Sequence, residues 1–180
     1  MTSMILLVRA TAAELQRPVI WARTRVRLVD SEQAGWTIAD VGAPNQAALE
    51  RVAEEVSAFG PALLLVVGEL RTGVQLWHGG RRRARVGWTS GEVNALSAAD
   101  AETMATLFAS ALGVDPGPVA RALREATSPD RSFRALMSAL AAPVPSHFGR
   151  HRSGPLDSER TTVVERHGIV EAMVEDHWGH

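Results

Sequence analysis

The stretch 62–88, ALLLVVGELRTGVQLWHGGRRRARVGW, decides the fold. Its first part, Ala62 to Val67, is apolar at every position. Such a short two-sided apolar run reads as a strand buried from both sides, near the centre of a sheet. Arg71-Thr72-Gly73 reads as a turn. Val74 to His78 and Arg82 to Trp88 then read as a hairpin around Gly79-Gly80.

The hairpin permits a register argument. A two-residue loop pairs His78 with Arg81 and sets Val74 and Leu76 on the same face as Arg83 and Arg85. A three-residue loop, Gly79-Gly80-Arg81, pairs His78 with Arg82. It sets Leu76 opposite Ala84 and Val74 opposite Val86, with Trp77 opposite Arg83 and Gln75 opposite Arg85 on the other side. A slip of one residue exchanges every face, so the three-residue loop is expected, with Gly80 supplying a positive φ. Val74, Val86 and Trp88 are then core residues, and Arg83 and Arg85 are not.

Outward from this hairpin, Met4 to Val8 reads as a first strand. Thr11 with Glu14 reads as a capping box opening one or two helical turns, which Pro18 should end. Val19 to Val29 reads as extended, with Val26 and Leu28 alternating with Arg25 and Arg27. Trp36 to Val41 reads as a strand with Trp36 and Ile38 on one face. Gln46 to Phe59 reads as a helix, with Leu49, Val52, Val56 and Phe59 along one stripe.

Beyond the hairpin the period turns helical. Ser97 caps a helix carrying Met104, Leu107, Phe108 and Leu112, and Gly113 stops it. Pro116 and Pro118 open a second helix running to Ala126. Ser128-Pro129 breaks the chain, and Ser132 to Ala141 makes a third helix. Strands thus gather in the first half and helices in the second, which argues an α+β fold. The expected architecture is a mostly antiparallel sheet from the N-terminal half packed against helices from residues 46–59 and 97–141, with a C-terminal extension.

The expected organisation is an α+β domain over 1–142, a linker over 143–158 and a docking segment over 159–180. The linker carries Pro, Ser, His, Gly and Arg. The last segment carries Val163, Val164, Ile169, Val170, Met173, Val174 and Trp178, which favours docking on this chain or on a second copy in a homodimer. Thr161 to Trp178 reads either as a helix or as a hairpin turning at Arg166-His167-Gly168; Gly168 tilts the balance towards strands.

Composition narrows the chemistry. With 46% hydrophobic and 22% charged residues, the 180-residue chain has the balance of a globular protein. There is no Cys, which removes disulfides, thiolate metal sites and cysteine nucleophiles. All 19 basic residues are Arg, which removes Schiff-base lysine chemistry and the lysine of a phosphate loop. The absence of Lys spans the whole chain, as codon bias in a GC-rich genome would produce. Net charge is −1, and the segments flanking the Arg run are acidic, so nucleic acid is not the expected partner. No apolar run has the length of a membrane span or signal peptide, and the expected location is the cytoplasm.

No residue set assembles a recognisable catalytic motif. His147 and His151 have helical zinc spacing but lack the intervening Glu, and Pro145 and Gly149 disfavour a helix there. Ser90 lacks the glycine spacing of a nucleophile elbow. Asp40, Glu69 and His78 are the polar residues that a cleft would have to gather. Neither a metal nor a cofactor is expected.

What stands out is the polar face of the hairpin. Gln75, Trp77, Arg81, Arg83 and Arg85 are the candidate binding residues, because Trp and Arg are the usual anchors of interfaces. The expected function is a non-enzymatic protein-interaction module of immunity, adaptor or chaperone-like kind, with an acidic protein partner. The competing reading is a small enzyme or ligand-binding domain with a pocket between sheet and helices.

Overall fold

The computed structural model describes residues 2–42, 45–92, 96–125, 128–144 and 161–164, the last by backbone alone. The fold is α+β. One antiparallel sheet has the strand order β6-β5-β4-β1-β3-β2-β7. The strands are β1 (Ser3–Val8), β2 (Val26–Asp30), β3 (Thr37–Asp40), β4 (Ala62–Val67), β5 (Arg71–Trp77), β6 (Arg82–Thr89) and β7 (Thr161–Val164). The helices are α1 (Ala12–Trp21), α2 (Gln46–Val56), α3 (Ala98–Leu112), α4 (Pro116–Arg124) and α5 (Pro129–Ala139).

β4 lies between β5 and β1, with Ala62, Leu63, Leu64 and Leu65 all fully buried. Their side chains alternate between two cores, because successive residues of a strand point to opposite faces. Leu63 and Leu65 join Leu7, Val74, Leu76, Val86 and Trp88 under α3, α4 and α5. Leu64 joins Leu6, Val8, Val26 and Leu28 under α1 and α2. The sheet is therefore sandwiched between two helical layers.

The second layer is larger than the sequence reading allowed. Pro18 does not end α1; it lies buried inside the helix, one turn before the end. Its missing N–H and ring clash cost about 3 kcal/mol in an isolated helix. The helix persists because Ala12, Leu15, Val19 and Ala22 form a stripe that the sheet buries. The segment from Val19 to Trp21, expected to be extended, is thus the last part of α1, and the chain leaves it through Arg23 at φ 50. The capping box is present: the Thr11 N–H donates to Glu14 Oε2 at 2.8 Å, and these bonds hold the Glu14 carboxyl below its ordinary range.

Other boundaries shift for equally local reasons. Arg71-Thr72-Gly73 is strand, not turn; the chain reverses at Gly68–Leu70, closed by the Gly68 N–H donating to Arg71 O at 2.8 Å. Ser128-Pro129 separates α4 from α5, as expected, and itself starts α5, three residues before the expected Ser132, since Pro suits the first helical turn. α4 ends at Arg124, and Ala126 lies outside the described residues. α2 stops at Val56, and Phe59 leaves its buried stripe to stand 68% exposed.

At the far edge, Thr161–Val164 pairs antiparallel with β2, with Arg27 opposite Val163. Most of the expected linker and everything after Val164, including the proposed turn at 166–168, lie outside the described residues. Among the described residues no helix is long and apolar enough to cross a membrane.

Two outcomes follow from this layering. Leu64→Ala and Leu65→Ala should each cost about 2–5 kcal/mol in urea unfolding, because each empties a different core. A sheet covered on one face only would make one of them cheap. On α2, partial burial and the neighbouring Glu54 charge push the Glu55 carboxyl above its usual range. The folded state then binds the proton more tightly than the unfolded state, so this contribution to stability is lost as pH rises through the raised value. Glu55→Gln should raise the melting temperature at neutral pH. The gain should vanish near pH ~3.5, below the ordinary glutamate pKa of about 4.3.

Candidate functional site

The β5–β6 hairpin positions the candidate residues. Its loop is the two-residue one: Gly79 and Gly80 both have positive φ, 64° and 71°, and the His78 N–H donates to Arg81 O at 3.0 Å. The three-residue loop expected from the register argument is therefore wrong. The faces it was chosen to protect are nevertheless as expected: Leu76 lies opposite Ala84, Val74 opposite Val86 and Gln75 opposite Arg85. A β-bulge reconciles the two. Trp77 lies opposite Arg82 while Leu76 lies opposite Ala84, so Arg83 is the extra residue. Gly-Gly satisfies the tight turn locally, and burial of Leu76, Ala84 and Val86 dictates the register; one inserted residue serves both.

The hairpin tip rests on α2. The Gly79 N–H donates to Ser57 O at 2.8 Å, and Arg82 Nη1 stands 3.9 Å from Glu50 Oε1. α2 thus takes cover of one end of the polar face. Trp77 is half-buried against the α1/α2 core, and its indole Nε1 is sequestered without a hydrogen-bond partner. Gln75 is only 3% exposed, and its Oε1 is likewise buried and unpaired. Arg81, Arg83 and Arg85 are exposed, as are Arg71 and Arg82. The structure therefore divides the five predicted residues: three arginines on the surface, Gln75 and Trp77 beneath it.

Beside Gln75 lies a feature that the sequence reading missed. On the α2 side of the sheet, one row across three strands runs Val66–Gly73–Gly87, and the next runs Leu64–Gln75–Arg85. Two adjacent glycines leave that floor without side chains. A Cβ on Gly73 would stand 3.1 Å from Val86 O, so the backbones there are close. The result is a recess of about 60 Å³, lined by Gln46, Val66, Arg71, Gly73, Gln75 and Arg85 among others. Roughly 10–15 Å³ of such space accommodates one water, so it admits a group of a few heavy atoms. The signal was present: a Gly inside a strand pattern marks close backbone approach. The triplet Arg71-Thr72-Gly73 fits a turn equally well, which hides it.

A wider hollow of about 250 Å³ lies at the other side of the sheet, lined by Arg25, Arg27, Asp40, Val41 and Gly42. There Arg27 and Asp40 oppose each other across strands, and Asp40 Oδ1 accepts from the Gly42 N–H at 2.9 Å. It carries two arginines and one carboxylate, whereas the recess carries two arginines and no carboxylate. Asp40, Glu69 and His78 are not gathered into one cleft. Glu69 precedes β5 and His78 follows it, which separates them by about 20 Å along the strand. Among the described residues no three His, Asp or Glu side chains are arranged to hold a metal ion; His147 and His151 lie outside them.

Comparison with protein-family models, with curated proteins and with solved structures gives no match.

The unpaired Gln75 oxygen carries a cost. A buried polar group without a partner destabilises by about 1–3 kcal/mol. Gln75→Leu should therefore raise the melting temperature of the isolated protein. A decrease would mean that the carboxamide is held by interactions within the chain.

Proposed function

We propose that this chain is a non-enzymatic protein-interaction module that docks an acidic partner on its β5–β6 hairpin. The observation that supports this reading is the concentration of Arg71, Arg81, Arg82, Arg83 and Arg85 on one exposed hairpin of a chain whose net charge is −1. Among the described residues only Arg82 of these five has an ion pair, the long one to Glu50. Four guanidiniums are thus free to meet carboxylates in the forked geometry that Arg favours.

The aromatic anchor is not the one expected. Trp77 lies half-buried under α2, whereas Phe59 is exposed two residues after Ser57, which holds the hairpin tip. An exposed aromatic beside an arginine cluster is a combination characteristic of binding hot spots. Charge on an edge strand also discourages edge-to-edge aggregation, and β6 is an edge. That role does not call for arginines on the turn and on the neighbouring strand β5 as well.

The test is affinity capture from a lysate of the native host with the full chain and with the triple variant Arg81→Glu, Arg83→Glu, Arg85→Glu. These residues are exposed, so the variant should melt within a few degrees of the wild type. The expected result is an acidic protein, identified by mass spectrometry and then purified, that binds the wild type more weakly as salt rises and fails to bind the variant. Binding that is indifferent to both charge reversal and salt would exclude the hairpin as the docking face.

A further inference from the structure

We propose that the glycine-floored recess beside Gln75 receives the C-terminal residue of a peptide, its carboxylate held between Arg71 and Arg85 and its N–H donated to Gln75 Oε1. This deepens the reading of the hairpin as a docking face for an acidic partner and rests on it. Three independent features of the recess specify this ligand.

The first is charge. Arg71 and Arg85 both line the recess, both are exposed, and neither has an ion-pair partner among the described residues. They call for an anion. The second is the unpaired Gln75 Oε1. An acceptor sequestered without a donor calls for an N–H or O–H; a bare carboxylate supplies none at neutral pH, and inorganic phosphate supplies only a P–OH. The ligand must therefore carry a donor next to its negative charge. An N-acyl α-amino acid has that arrangement, with the amide nitrogen one carbon from the carboxylate.

The third is size. The recess has about 60 Å³ over the Gly73–Gly87 pair, with Val66 on the floor and Gln46, the first residue of α2, at the side. That volume takes a carboxylate and its α-carbon but not a bulky side chain, so a small terminal residue fits best. A side-chain carboxylate of Asp or Glu lies further from its own amide N–H and meets both demands less well. The outer arginines, Arg81 and Arg83, do not line the recess and would meet acidic residues preceding the terminus.

The experiment uses the isotope-labelled full chain and reads the Gly73 and Gly87 amides and the Gln75 carboxamide by NMR. The probes are N-acetylglycine, N-acetylglycinamide, acetate, and an acidic pentapeptide ending in glycine with a free or an amidated C-terminus. Saturable shifts are expected with N-acetylglycine, and binding weaker by about tenfold or more is expected for the amide and for acetate, each lacking one charged or donor contact. The free-acid pentapeptide should bind more tightly than N-acetylglycine, and its amidated form should lose that gain.

Gly87→Ala should abolish these shifts without unfolding the protein. Its Cβ would enter the recess 3.3 Å from Thr72 O, at a position that does not need a positive φ. Arg85→Gln should weaken binding. Equal binding of free and amidated probes, or shifts that survive Gly87→Ala, would overturn the inference. So would a pentapeptide that binds no more tightly than N-acetylglycine, which would assign the recess to small acylated amino acids. Capture of an acidic partner that persists while N-acetylglycine fails to bind would sink the recess alone and leave the hairpin reading standing.

Discussion

Burial of β4 from both sides is the constraint on which the rest of the molecule depends. Leu63 and Leu65 point one way, Leu64 and Ala62 the other, and all four are fully buried. A sheet with such a strand near its centre cannot leave a face to water. At roughly 25 cal/mol per Å² of apolar surface, an exposed leucine face would cost more than the marginal stability of a domain allows. Two helical layers are the consequence: α3, α4 and α5 over one face, α1 and α2 over the other. The buried proline of α1 is tolerated within the same demand, because the stripe around it is needed to close the second core.

The two layers do not reach equally far. The longer layer covers the face of Val74, Val86 and Trp88, while α2 covers only part of the opposite face of β5 and β6. Where α2 begins, at Gln46, the sheet carries glycines at Gly73 and Gly87 in place of apolar side chains. The recess is thus the place where the second core ends. Gln75 stands at that margin, deep enough to lose water yet without a partner for its oxygen. Removing a buried, unpartnered polar group of this kind commonly improves stability.

The hairpin shows how a local and a global preference can both be met. Gly79-Gly80 suits a two-residue turn with both residues at positive φ, whereas the apolar partners of β5 and β6 require a spacing one residue longer. A bulge at Arg83 absorbs the difference. It leaves consecutive arginines exposed next to a turn anchored on the end of α2, so the charge cluster is held by a rigid element and not by a free loop.

The linear order of residues determined the fold class, the central place of β4, the cap of α1, most strand and helix positions, and the face each hairpin residue occupies. These are legible because they depend on periodicity and on short-range turn and cap chemistry. The same order misplaced the end of α1, the fate of Phe59, the length of the hairpin loop and the turn before β5. Pro18 was overruled by the burial of the stripe around it, whereas the loop kept the two residues that Gly79-Gly80 favours locally and a bulge preserved the register of Leu76 and Ala84. Only the tertiary structure placed Trp77 and Gln75 beneath α2, brought Gln46, Arg71 and Arg85 to one recess, and paired Gly73 with Gly87. Those neighbours are far apart in sequence, and their proximity follows from which strands pair and where a helical layer stops. No periodicity along the chain encodes either.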